Sequence, residues 1–218
     1  MHFITAHGLF FLSMFIAHSE PPRSAQSQPT GAENPEFRIM TTGSAVVGVP
    51  KNWRKLDMNM PHMRLYFNGD GCSTPIVDET GSPLQIGMTV EEFTTDKNLD
   101  KWVESHIKDA KNNKRLKLMK KKTVEDVELS DGQRAKLLTT EFIKEKYRHS
   151  LQLKLFVKTE KSTGWVVSGF IVGGKESKFP ESGGPWAKWL SAHLKSLCFD
   201  DKKFDSEALS KAYKATRG

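Results

Sequence analysis

Histidines, cysteines and a run of lysines are the residues of this chain whose types would do chemistry. His62, His106, His149 and His193 lie beyond the apolar N-terminal stretch, and an imidazole binds metals or moves protons near neutral pH. No two of them are three to five residues apart, so none forms the paired spacing that zinc sites use. His106 and His193 fall on apolar helical stripes, where a hydrogen-bonded packing role is the ordinary one, and no metal site is expected. Glu91-Glu92 and Asp200-Asp201 are adjacent pairs that point apart on a strand or helix, which reads as solvated surface. The loop Gly183-Gly184-Pro185 opens a helix, but Pro185 removes a donor that an anion would need, and a plain connection is the simpler reading. Serine-hydrolase, zinc-protease, Walker and dinucleotide motifs are all missing, so the sequence assigns no catalytic residue and no cofactor.

Two features carry more. Cys72 and Cys198 form no Cys-x-x-Cys pair, and in an oxidising compartment they would bridge. Such a bridge closes about 125 residues and would add about 4–5 kcal/mol by the loop-entropy argument, the alternative being two separate buried thiols. The second feature is charge. Lys and Arg outnumber acids 33 to 26, a formal net charge of +7. Part of the excess is concentrated in Lys108, Lys111, Lys114, Arg115, Lys117, Lys120, Lys121 and Lys122, against Asp109 alone. The residues Lys114 to Lys122 suit an anionic partner: a surface polymer, lipid head groups or nucleic acid. The competing reading is that they complement a helix C-terminus and keep an edge strand from pairing with another chain.

The elements that must position these residues follow from periodicity. Residues 1–19 include Leu9, Phe10, Phe11, Leu12, Met14, Phe15 and Ile16 without a charge, too short to span a bilayer and suited to a secretory signal cut after Ala17-His18-Ser19. The missing basic residues before it leave open a start at Met40 instead. Residues 20–36 are Pro-, Ser-, Gln- and Gly-rich, a disordered linker by composition. A single domain is expected over 37–201, with a polar tail at 202–218 that forms a short helix after a Ser206 cap.

Within the domain, Ala45-x-Val47-x-Val49, Met63-x-Leu65-x-Phe67 and Leu84-x-Ile86-x-Met88-x-Val90 alternate as strands. Leu99, Trp102, Val103, His106, Ile107 and Ala110 recur at helical spacing. Leu116 and Leu118 start another strand, Val127 and Leu129 run into a turn at Ser130-Asp131-Gly132, and a three-strand meander follows over 134–144, 151–158 and 165–172, whose short turns require antiparallel neighbours. Pro185 then opens a helix with Trp186, Trp189, Leu190, His193, Leu194 and Leu197 on one stripe.

Three segments give the chain a family resemblance. Val46-Val47-Gly48-Val49-Pro50-Lys51-Asn52-Trp53 looks like an opening strand ending in Pro-x-x-Trp, Asn98 to Asn113 a first long helix, and Trp186 to Phe199, with Leu194-Lys195-Ser196-Leu197-Cys198-Phe199, a closing helix. Over roughly Phe37 to Asp201 the order resembles the Mog1/PsbP-like superfamily, including PsbP and DcrB-like domains. The resemblance implies an α+β fold, a mostly antiparallel sheet flanked by helices in an α/β/α sandwich. Members are generally not enzymes and bind varied partners, so it transfers no activity. No calcium- or chloride-binding signature of the family is seen.

The sequence therefore predicts an extracytoplasmic, secreted or periplasmic, non-enzymatic binding or accessory module without a membrane span in its mature form. Its partner is a protein or anionic polymer met through the basic strip. Nucleic acid is disfavoured, because the tryptophans that would stack bases sit mostly on buried stripes. The rival is a hydrolase whose catalytic residues form no recognisable motif.

Overall fold

The computed structural model describes residues 37–69, 84–112, 116–144, 148–160, 162–174 and 184–215. The segments expected to be a signal and a linker lie outside the described residues, as do Cys72, Lys114 and Arg115.

Nine strands and three α-helices follow one another among the described residues: β1 (Phe37–Thr42), β2 (Ala45–Pro50), β3 (Arg54–Lys55), β4 (Met63–Asn68), β5 (Gln85–Thr94), α1 (Leu99–Asn112), β6 (Leu116–Glu128), β7 (Arg134–Lys144), β8 (Arg148–Lys158), β9 (Thr163–Gly174), α2 (Gly184–Lys195) and α3 (Ser206–Ala215). Seven strands form one antiparallel sheet in the order β3-β4-β5-β9-β8-β7-β6. The fold is α+β and mostly antiparallel, with α1 on one face and α2 on the other.

Strand alternation divides the core. Trp165, Val167 and Ile171 of β9, with Leu151, Leu153, Leu155 and Val157 of β8, join Leu190, Leu194 and Leu197 from α2 and its C-terminal turn in the largest apolar cluster. Gly169 lets α2 seat here, since a Cβ on it would fall 2.5 Å from Leu190 Cγ. The hairpin β1-β2 lies on the same side, turning through Gly43 at φ 56°. The opposite parity of β7, β8 and β9 gives Leu138, Phe156 and Val166, a smaller cluster that α1 covers with Val103 and Ile107.

Several boundaries move. The sequence reading has no strand at 37–42, yet β1 pairs with β2 along its whole length. The strand expected to start at Leu116 is β6, which runs through to Glu128 with a register shift between Leu118 and Lys122. Its lysine-rich composition suits a sheet edge, which tolerates charge. The helix expected over 98–113 is α1, capped by Asn98, whose Oδ1 accepts from the Lys101 amide at 2.9 Å. The tail helix is present, but Asp205 rather than Ser206 caps it, accepting from the Ala208 amide at 2.8 Å. Leu209 of α3 is 1% exposed and belongs to the large cluster, so this helix packs into the domain.

Candidate functional site

Polar residues accumulate on the α1 side of the sheet. Along β8 the sequence Ser150-Leu151-Gln152-Leu153-Lys154-Leu155 alternates, and the leucines face α2. Ser150, Gln152 and Lys154 therefore face the other way, a pattern that ordinarily signals solvent. Here α1 and neighbouring segments cover them, and all three are buried. In register beside them stand Thr140 of β7, Ser168 of β9, and Thr89 and Glu91 of β5, also buried.

A charge-balanced cluster sits at the centre of this row. Lys154 Nζ lies 3.0 Å from Nε2 of the partly buried His106 on α1, so the ammonium donates to the imidazole lone pair. Glu91 accepts from the Thr89 hydroxyl at 3.0 Å and is electrostatically coupled to Lys154. Burial raises the Glu91 pKa, with Lys154, Thr89 and His62 opposing. Burial likewise lowers that of Lys154, against Glu91, and burial plus the Lys154 charge hold His106 well below the usual imidazole value. His106 is thus neutral at pH 7. A cavity of about 10 Å³ lies between His106, Thr140 and Gln152, room for a single water. Among the described residues, Gln152 Oε1, Ser150 Oγ and Ser168 Oγ are buried without a hydrogen-bond partner.

Sequence reasoning missed this cluster. Glu91 was expected on a solvated surface, but only Glu92 of that pair is partly exposed, bonded to Arg64 at 2.8 Å. The overlooked signal is that β8 carries a polar residue at each alternate position under a helix whose apolar stripe includes His106. His193 does take the packing role: its Nδ1–H donates to Gly48 O at 2.8 Å, and burial pushes its pKa down to about 4. Asp200 caps a short 3-10 turn at Asp201–Lys203.

The basic strip falls on β6. Lys117, Lys120, Lys121 and Lys122 lie in its first half, spanning the register shift, and among the described residues β6 is hydrogen-bonded to a strand on one side only. Its second half is acidic: exposed Asp126 binds Lys136 at 2.7 Å, and Glu125 approaches Lys195 at 3.8 Å. Charge is therefore segregated along one edge. Cys198 is fully buried, its backbone bridged to Val46 at 2.9 and 3.0 Å, and burial raises its thiol pKa. Among the described residues no three His, Cys, Asp or Glu side chains are grouped to hold a metal ion, and no helix is long and apolar enough to cross a membrane.

No protein-family model matches the chain, and no curated protein matches it. Solved structures similar to it include LpqN of Mycobacterium tuberculosis, described as involved in cell envelope biogenesis, at 14% identity and TM-score 0.42, covering 69% of this chain and 79% of that one. The cyanobacterial PsbP (CyanoP) of Synechocystis sp. PCC 6803 is similar at 13% identity and TM-score 0.43, covering 79% and 97%. The second bears the PsbP name to which the sequence resemblance points. Nothing about activity follows from likenesses of this size.

Proposed function

We propose that this chain is an extracytoplasmic, non-enzymatic binding module that meets an acidic partner along the β6 edge. The observation that carries the reading is the placement of Lys117, Lys120, Lys121 and Lys122 within six residues of an edge strand, on a chain of net charge +7. An edge presents its side chains and one row of backbone groups together, so an anionic polymer or acidic segment would be attracted by charge and held by backbone donors. The apolar segment before residue 20 supports export. A bridge from Cys72 to Cys198 belongs to the same proposal, and alkylation of protein from its native compartment tests it: two reactive thiols after unfolding without reductant would refute it.

The test of the function is retention on immobilised heparin across a salt series, comparing wild type with the Lys117→Ala/Lys120→Ala/Lys121→Ala/Lys122→Ala variant. Binding through these lysines releases counterions, so the variant should elute at lower salt and with a shallower salt dependence. Equal elution would overturn the reading. Equal elution with new self-association of the variant would assign the lysines to edge protection instead.

A further inference from the structure

We infer that α1 is an acid-released flap, latched to the sheet by the Lys154–His106 hydrogen bond and pushed away when both residues carry a proton and a positive charge. The geometry sets the latch. Lys154 Nζ and His106 Nε2 stand 3.0 Å apart, a distance that is attractive while the imidazole offers a lone pair and repulsive once that nitrogen is protonated. Lys154 is 5% exposed, so water screens the two charges little, whereas His106 is partly buried and within reach of protons.

The groups around the latch leave the new charge poorly compensated. From β5 the carboxylate is Glu91, coupled to Lys154 and bonded to Thr89. From β8 the neighbours are Lys154 itself and the Phe156 ring, 5.3 Å from the His106 ring. β7 presents Leu138 and Thr140 beneath the helix, while its Lys136 is occupied by Asp100 and Asp126. β6 brings Glu125 and Asp126, which bind Lys195 and Lys136. On α1 the nearest charged residues in sequence are Glu104, Lys108 and Asp109, of which Glu104 and Lys108 are exposed. At neutral pH the His106 imidazole is neutral and its lone pair is open to Lys154. Acid adds a proton to His106, and because Glu91 titrates above the usual carboxylate range it loses its charge early, withdrawing the anion that faces Lys154.

The sign follows by linkage. A histidine whose folded pKa lies below its unfolded value contributes stability above the unfolded pKa, near 6.5, and that stability is lost as pH falls below it. Glu91, raised in the fold, acts oppositely on overall stability, since its protonation relieves its own burial. The His106 contribution is read locally, in α1. The interface there is loosely filled, with the cavity beside His106 and the unpartnered Gln152 Oε1. Opening would uncover Thr140, Gln152 and Lys154.

Amide hydrogen exchange of the whole chain at about pH 7 and about pH 5, corrected for intrinsic rates, tests the flap. Protection over residues 99–112 should fall by about tenfold or more beyond any fall shared with α2, which His193 protonation lowers over the same pH range. His106→Gln keeps an acceptor for Lys154 but cannot gain charge, and should abolish the pH response of α1. Titration of the wild-type His106 ring by NMR should show a pKa below that of an unfolded histidine and tracking the loss of protection. A pH-independent α1, a fall in α1 no larger than that in α2, or an unchanged response in His106→Gln would each overturn the inference.

Discussion

The two faces of the seven-stranded sheet are built by the same strands one residue out of step, and they differ in kind. On the α2 side, β8 contributes Leu151, Leu153, Leu155 and Val157, and its cover includes Trp189, Leu190, Leu194 and Leu197. On the α1 side the same strand contributes Ser150, Gln152, Lys154 and Phe156, under a helix that buries Val103, Ile107 and Ala110. One face is filled mainly with apolar side chains, His193 and its hydrogen bond to Gly48 being a polar exception. The other holds charges and orphaned polar atoms that cost free energy unless matched. The first face is scaffold. The second adjoins the β6 edge on which the basic strip falls.

Substitutions should expose that asymmetry, most strongly at the buried charges. Lys154→Met leaves Glu91 buried without its cation and should cost about 3–5 kcal/mol, while adding Glu91→Gln should restore a large part of it. Urea unfolding of the single and double variants checks this, and additive losses would mean that the two residues are not a pair. On the apolar face, Leu190→Ala should cost about 2–5 kcal/mol, toward the upper end because Gly169 and the surrounding cluster hold its site open. Leu138→Ala beneath α1 should cost less within the same range, since the interface there is already loosely filled.

Acid separates the faces differently. His193, 1% exposed on the α2 side, has a folded pKa near 4, below the unfolded value of about 6.5. Its stabilisation is full above about pH 6.5 and falls by about 3 kcal/mol as pH drops to about 4. His193→Gln should remove that much of the pH dependence of global unfolding, whereas His106→Gln acts on α1. The smallest effect belongs to the edge: the quadruple lysine variant of β6 should change unfolding free energy by no more than about 0.5 kcal/mol, measured by the same urea titration.

The legible and illegible parts of this molecule divide along the same line. Alternation in β4, β5 and β9 and the stripes of α1 and α2 are readable because apolar residues there answer to one buried face. Lys154 and Glu91 are not, because a polar residue at an outward strand position has the same pattern whether water or a helix lies over it. β1 has little buried apolar alternation, so the sequence reading passes over it. Lys117, Lys120, Lys121 and Lys122 were legible as a cluster, and their position at an edge emerges only from the strand order.

The claim that the edge is the working surface is tested most directly by amide exchange with and without a bound anionic polymer such as heparin, near neutral pH and at low salt. The account predicts new protection in the basic half of β6, with α2 and the strands beneath it unchanged. Protection centred on another surface, or none along residues 116–122 when the polymer is bound, would contradict it.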